Sequence, residues 1–171
     1  MKSLAADTYR LINEVFLLGD DIDRQLFSNF SLTVRQYHLL NWLHRKGQAS
    51  LTELANLLLC DKSNVTGIVR RLKSAKLIEE LPKSDRRYTT VRLTESGRQI
   101  HQQATTILDE SIATRFINVR ESDHVALQQL LELVYGHLHG YLENGHLKSV
   151  AAKMANAPKT EISEQVETTN K

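Results

Sequence analysis

Residues 50–78 read SLTELANLLLCDKSNVTGIVRRLKSAKLI, and this stretch decides the fold of the chain. It opens with a capping box, in which the side chains of Ser50 and Glu53 can satisfy two backbone N–H groups, and an amphipathic run follows. A turn at residues 60–62 ends that run. Apolar side chains then recur at helical spacing, at Val65, Ile68, Val69 and Leu72. Two short amphipathic helices joined by a tight turn predict a helix-turn-helix.

The segments on either side extend this motif. Upstream, Thr33 and Gln36 form another capping box, which predicts a helix that ends at Gly47. Downstream, residues 77–81 and 88–93 have the composition and alternation of strands, and a charged, turn-forming segment joins them. Three helices and a hairpin predict a winged helix.

Long helices flank the winged part. Residues 4–27 carry a wide apolar stripe at helical spacing, which needs the cover of another helix, such as one from a second chain. Residues 95–118 are expected to form a further helix, and Ser122 is expected to cap the last one. The fold class is therefore mostly α with a small β-hairpin wing (α+β).

Composition and charge exclude several classes of protein and favour one kind of partner. With 41% hydrophobic and 25% charged residues, the chain is neither a disordered protein nor a disulfide scaffold. No apolar run approaches the roughly 20 residues of a membrane span, and the N-terminus does not resemble a signal peptide, so we expect a cytoplasmic protein with no membrane partner. Residues 31–98 contain 13 Lys and Arg against 6 Asp and Glu, whereas the rest contains 9 against 14. A basic middle between acidic flanks is typical of nucleic-acid binding.

The polar side of the predicted helix 62–75 is a candidate DNA-reading face. Short polar side chains allow close approach to a major groove, and arginine can pair bidentately with guanine. The glycine in mid-helix costs about 1 kcal/mol relative to alanine, and close passage of another backbone would explain it. The alternative is a merely solvated helix face. The candidate residues are Lys62, Ser63, Asn64, Thr66, Gly67, Arg70 and Arg71.

The loop between the two predicted strands concentrates positive charge at Lys83, Arg86 and Arg87. Arginine at the tip of a two-stranded ribbon suits a narrow minor groove, whose negative potential attracts it. Asp85 would turn the chain and hold the side chain of Arg87 by a charge-assisted hydrogen bond. The alternative is a soluble, charged turn that blunts an exposed sheet edge.

These segments together resemble the MarR family of bacterial transcription regulators. The resemblance covers about residues 30–100, and its most specific part is the run SDRRYTTVRLTESG, residues 84–97, with Asp-x-Arg followed by V-x-L-T-x-x-G. One departure is at Lys76, near which many members have a glycine, and we expect only a changed turn geometry there.

The resemblance implies a homodimer that grips a palindromic operator in double-stranded DNA, most often as a repressor. It also implies a small aromatic or phenolic effector, which such proteins bind between the dimer helices and the winged lobe; the residues that would hold it are unknown. The implied organisation has four parts. These are an N-terminal dimerisation helix at 1–30, a winged helix-turn-helix DNA-binding domain at 31–98, C-terminal dimerisation helices at 99–147 and a disordered tail at 148–171.

Other chemistry has little support in the sequence. Cys60 has two interpretations: a small buried apolar residue, or a thiol sensor beside a helix N-terminus. The second interpretation makes a redox-sensing regulator an alternative function. A winged helix that binds protein instead of DNA is the other alternative. The seven histidines form no convincing metal site, and we expect no cofactor. No catalytic set occurs at a usable spacing, so we predict that the protein is not an enzyme.

Overall fold

The computed structural model describes residues 3–81 and 89–144. Over these residues the chain forms helices and short strands in the following order: α1 (Leu4–Ser28), α2 (Val34–Lys46), β1 (Gln48–Ser50), α3 (Leu51–Leu57), α4 (Lys62–Ser74), β2 (Ile78–Glu80), β3 (Thr90–Leu93), α5 (Glu95–Arg115) and α6 (Glu121–Glu143). The predicted fold class, mostly α with a small β part, is confirmed.

The capping boxes predicted for α2 and α3 are both present. The Thr33 hydroxyl accepts from the backbone N–H of Gln36, whose side chain accepts from the Thr33 N–H at 2.7 Å. Ser50 and Glu53 make the same reciprocal pair. The cap predicted for α6 is wrong. Arg120 occupies the N-cap position, and Ser122 already lies inside the first turn. Arg120 makes no side-chain cap hydrogen bond.

The sheet has three strands over the described residues, not the two that were predicted. Its order is β1-β3-β2 and both pairs are antiparallel, so β3 is the central strand. Val91 lies opposite Ala49 on one side and opposite Glu80 on the other, and its side chain is fully buried. Strand β1 was missed because three residues are too few to show a period of two.

One hydrophobic core joins the helices of the winged part to the sheet and to the end of α1. We call residues 34–93 the winged lobe. The ring of Phe27 in α1 stacks on that of Tyr37 in α2, with 4.2 Å between their centroids. The largest fully buried side chains are Phe27, Leu39, Leu40, Leu43, Leu54, Leu72, Val65 and Val91.

Gly97, the last residue of the motif run 84–97, is required by close packing. A Cβ atom placed on Gly97 would lie 1.9 Å from the carbonyl oxygen of Leu77, so no larger residue fits. Thr94 holds the same junction, because its hydroxyl donates to the Lys76 carbonyl at 2.7 Å and accepts from the Gly97 N–H at 3.0 Å. The start of α5 is therefore fixed directly on the turn that precedes β2.

The structure describes the turn at Lys76, for which the sequence predicted a changed geometry. Helix α4 ends in a Schellman motif, in which the N–H of Leu77 bonds to the Leu72 carbonyl and that of Lys76 to the Lys73 carbonyl. Lys76 has φ +58°, the left-handed conformation that glycine adopts most easily. The backbone at Lys76 adopts a conformation suited to glycine, and a change of geometry relative to other members stays a prediction.

The chain divides into two units, Met1–Ile117 and Asn118–Lys171. The first contains α1 to α5 and the sheet, and the second contains α6. The four-part division expected from the sequence stays a prediction.

Candidate nucleic-acid interface

Helix α4 has one face packed into the core, as its spacing predicted. The side chains of this face are between 0% and 6% exposed: Val65, Ile68, Val69 and Leu72. They fix the rotation of the helix about its own axis. The polar residues on the opposite side must then face away from the core.

The predicted reading residues do lie on this outward side. Gly67 is half-buried, and the others are exposed: Lys62, Ser63, Asn64, Thr66, Arg70 and Arg71. The Thr66 hydroxyl donates to the Lys62 carbonyl at 2.8 Å, so its proton is used within the helix and its lone pairs remain to accept. The structure brings the candidate residues of α4 together on one surface.

The positive charges of α4 differ in how they are compensated. Lys73 pairs with Glu80 of β2, with Nζ 2.6 Å from the carboxylate. Arg70 and Arg71 have no carboxylate partner among residues 3–81 and 89–144. The charge on the outward face is therefore available to an external anion.

Gly67 sits on this face without an internal reason for being glycine. An added Cβ would meet only the guanidinium of Arg71, at 3.6 Å, which is an ordinary van der Waals distance. Contacts within the described chain would thus tolerate alanine, which is the better helix former. This agrees with the expectation that another molecule approaches the helix closely here.

Cys60 lies in the turn between α3 and α4. Its N–H bonds to the Ala55 carbonyl at 3.1 Å, which closes α3, and Leu59 takes a left-handed φ of +47°. The thiol is half-buried and packs against the core. A redox role for this residue stays a prediction.

The predicted wing residues Lys83, Asp85, Arg86 and Arg87 lie outside the described residues. The strands on either side of them are described, and the Leu81 N–H bonds to the Thr90 carbonyl at 2.9 Å. The roles assigned to these four residues remain predictions.

Neither a metal cluster nor a membrane span occurs in the described ranges. Within residues 3–81 and 89–144, no three His, Cys, Asp or Glu side chains are placed to hold a metal ion. No helix in this part of the chain combines the length and hydropathy needed to cross a bilayer.

Helices α2 to α4 with the sheet β1-β3-β2 define a winged helix-turn-helix protein. Residues 32–89, which span most of the winged lobe, match the model of the MarR family. The match covers about a third of the chain, and it agrees with the resemblance to this family seen in the sequence.

Curated relatives and solved structures are similar to the chain over longer stretches. The transcriptional repressor IacR of Pseudomonas putida is 29% identical over 115 residues, which are 67% of this chain and 69% of that protein. A mutant of E. coli MarR complexed with operator DNA is 25% identical, with a TM-score of 0.69 over 78% of this chain and 99% of the other. BpsR of Bordetella bronchiseptica, whose DNA binding is regulated by 6-hydroxynicotinic acid, is 25% identical, with a TM-score of 0.68 over 75% and 98%.

One cationic residue beside the interface was missed by sequence reasoning. Arg35, in the first turn of α2, lines a groove together with Asn64 and Arg71 of α4. The capping box at Thr33 located the start of α2, but nothing in the sequence shows that this helix end lies beside α4.

Proposed function

We propose that this chain is a homodimeric repressor that binds a palindromic operator in duplex DNA and leaves it when a small aromatic or phenolic effector binds. The single observation that carries DNA binding is the outward face of α4. This face is polar and exposed, it holds two arginines without a described carboxylate partner, and it has a mid-helix glycine. The operator complex of the MarR structure above supports the same partner for this chain.

The width of helix α4 matches the width of the major groove of DNA. An α-helix with its side chains is about 10–12 Å wide, and the major groove of B-DNA is about 12 Å wide. Arg70 lies near the centre of the outward face, so we assign it to guanine. Ser63, Asn64 and Thr66 are assigned to nearby base edges and Lys62 to the backbone, while Gly67 permits the close approach. Lys83, Arg86 and Arg87, with Asp85 orienting the last, are proposed to contact the minor groove.

The dimer is proposed from the flanking helices, each considered by itself. In α1, Leu11, Val15 and Leu18 are 57%, 62% and 66% exposed. In α6, Leu130 and Leu133 are 61% and 58% exposed. Contiguous exposed apolar surface of this kind marks a protein interface, and a second copy of the chain is the occupant we propose.

A dimer explains the proposed palindrome. Two lobes related by a twofold axis would read two half-sites about one helical turn apart. The proposed parts are then the dimerisation segments 1–30 and 99–147, the DNA-binding domain 31–98 and the tail 148–171. A cytoplasmic location follows from the DNA partner.

Effector control is proposed by analogy with BpsR, whose DNA binding is regulated by an aromatic acid. We infer regulation rather than catalysis, because the relatives named above are transcriptional regulators and the sequence has no catalytic set.

Replacement of Arg70 tests direct readout. R70A should lose about 1–3 kcal/mol of affinity for the preferred sequence and should tolerate other bases at one position. K83A should weaken binding to all sequences alike. The control R98A removes one positive charge from α5, where Arg98 is exposed and pairs with Glu95 at 3.1 Å. Fluorescence anisotropy with a panel of single-base operator variants measures all three. Uniform losses for R70A on every duplex would contradict readout by this residue.

Two alternatives have their own tests. A winged helix that binds protein should present an apolar outer face, whereas that of α4 is polar and basic. A thiol sensor at Cys60 should release DNA on treatment with peroxide, and C60S should abolish that release. Release by an aromatic acid that persists in C60S would instead support effector control.

A further inference from the structure

A groove runs along one flank of α4, and it is lined by side chains from α1, α2 and α4. Its polar residues are Asp20, Arg24, Thr33, Arg35, Asn64 and Arg71. Asn64 and Arg71 are seven residues apart, so they lie on the same side of α4. The other flank, with Thr66, Arg70 and Lys73, lines a second groove with Glu80 and Thr89 next to the sheet. The outward face of α4 thus lies between this α2-side groove and the sheet side.

The charges in the α2-side groove are unevenly compensated. Arg24 is occupied, because its guanidinium lies 2.7 Å from the carboxylate of Asp20 and 3.0 Å from that of Asp21. Arg35 and Arg71 are exposed, and neither has a carboxylate partner among residues 3–81 and 89–144. The first turn of α2 also contains no acidic residue. Within the described ranges, the groove therefore presents two uncompensated guanidinium groups and no free carboxylate, since Asp20 is held by Arg24.

The position of these guanidinium groups indicates what they bind. A helix that fills the width of the major groove brings its centre to the base edges and its flanks to the phosphates on the two rims. On the sheet side, Lys73 is already paired with Glu80 at 2.6 Å. On the α2 side, Arg35 and Arg71 are available to meet the backbone, and the bidentate fork of a guanidinium suits a phosphodiester.

We propose that Arg35 and Arg71 bind the phosphate backbone of DNA in the α2-side groove, so that they position α4 and do not read bases. This inference rests on the proposed function. It adds Arg35, on a helix outside the helix-turn-helix pair, to the DNA-contacting residues. It also separates Arg71, which lines the α2-side groove, from its neighbour Arg70, which lines the groove on the sheet side.

The test uses R35Q and R71Q in the full-length chain, with R98Q as the charge-matched control and R70Q as the comparison for base reading. Each is titrated by anisotropy at several salt concentrations. The probes are a duplex of arbitrary sequence and the operator selected by the wild type. R35Q and R71Q should each bind both duplexes about fivefold more weakly, so that the ratio of the two affinities stays that of the wild type. The slope of log K against log salt should become shallower by about 0.9 for each phosphate that the variant no longer neutralises.

The outcomes are distinguishable. If R35Q matches R98Q in affinity and salt slope, or lowers the ratio of operator to arbitrary duplex as R70Q does, the backbone assignment is wrong. If R35Q leaves DNA affinity intact but abolishes a response to benzoate, the groove binds an effector and the assignment is also wrong. Failure of the wild type to bind any duplex would contradict the proposed function itself. Because Arg35 is exposed and has no carboxylate partner in the described ranges, R35Q should keep the wild-type melting temperature, which circular dichroism checks.

Discussion

The winged lobe and helix α1 place their apolar residues in opposite ways. In the lobe, side chains such as Leu54 and Leu72 are fully buried by the chain itself. In α1, Phe27 near the C-terminal end is buried against α2, whereas Leu11 and Leu18 remain 57% and 66% exposed. The lobe buries its apolar side chains in a core that the end of α1 completes, while the rest of α1 presents a surface that one chain leaves in water. This difference is why the lobe is assigned to DNA and the flanking helices to a second copy.

The largest expected effect is on the lobe, through Gly97. G97A places a Cβ against the Leu77 backbone, which cannot move without breaking the junction with β2. We expect the free energy of unfolding to fall by about 3 kcal/mol, as for severe overpacking. The control is S96A, at the exposed neighbouring position. Urea denaturation measures both, and equal stability of the two variants would contradict the close packing at Gly97.

The next effect is on α1, through Leu18. L18E leaves the lobe core untouched but should weaken the dimer about 10- to 100-fold, the equivalent of one buried leucine side chain. N13E adds the same charge on the side of α1 roughly opposite Leu18 and should weaken the dimer less than L18E does. Sedimentation equilibrium measures the dissociation constants. A wild-type dimer that L18E does not weaken would remove the apolar face of α1 from the proposed interface.

A smaller effect is expected at the turn after α4. K76G should raise the free energy of unfolding by about 0.5–1 kcal/mol, because glycine adopts φ +58° without the strain of a side chain. The adjacent A75G is the control, since Ala75 has φ −77° and glycine there only adds flexibility. Thermal unfolding should rank K76G above the wild type and A75G below it; the reverse order would contradict the left-handed turn.

The smallest expected effect is on the pH dependence of stability, through His101. This residue of α5 packs against α2 and is 4% exposed. Its Nε2 lies 3.2 Å from Oδ1 of Asn41, and its ring stacks on that of His44. Burial first, and the charge of His44 second, lower the pKa of His101 below 6.5. The unfolded chain therefore takes up the proton first, and stability should fall as the pH drops below 6.5.

The comparison that isolates this linkage uses two variants in urea unfolding at a series of pH values. H101Q should lose less stability than the wild type as the pH falls. H44Q removes the like-charge contribution together with the ring contact, so its pH-dependent loss of stability should lie between the two. Parallel curves for the wild type and H101Q would exclude a lowered pKa at this site.

The sequence predicted what depends on neighbours along the chain. The capping boxes at Thr33 and Ser50, the buried face of α4 and the order of the helices all follow from residues three or four apart. Strand β1 could not be predicted, because three residues acquire their strand identity only by pairing with β3. The cap of α6 was misplaced by two residues for a local reason, since Arg120 takes the extended backbone expected of a better capping residue.

For the candidate site, the same division holds. The outward face of α4 was predicted because one helix carries it, and its residues share a surface in the structure. Arg35 was missed because the α2-side groove forms only when α1, α2 and α4 pack together. A site formed by one helix or strand can be predicted from the sequence. A site formed between several elements can be found only from the folded structure.

Selection of bound duplexes from a random-sequence library by the wild-type protein tests the central claim most directly. If two copies of the winged lobe read DNA through α4, sequencing of the bound pool should reveal an inverted repeat with half-sites about one helical turn apart. In the pool selected by R70Q, the base preference at one position of each half-site should be lost. A bound pool with no enriched sequence, or with a single unrepeated site, would contradict a dimeric, sequence-reading regulator.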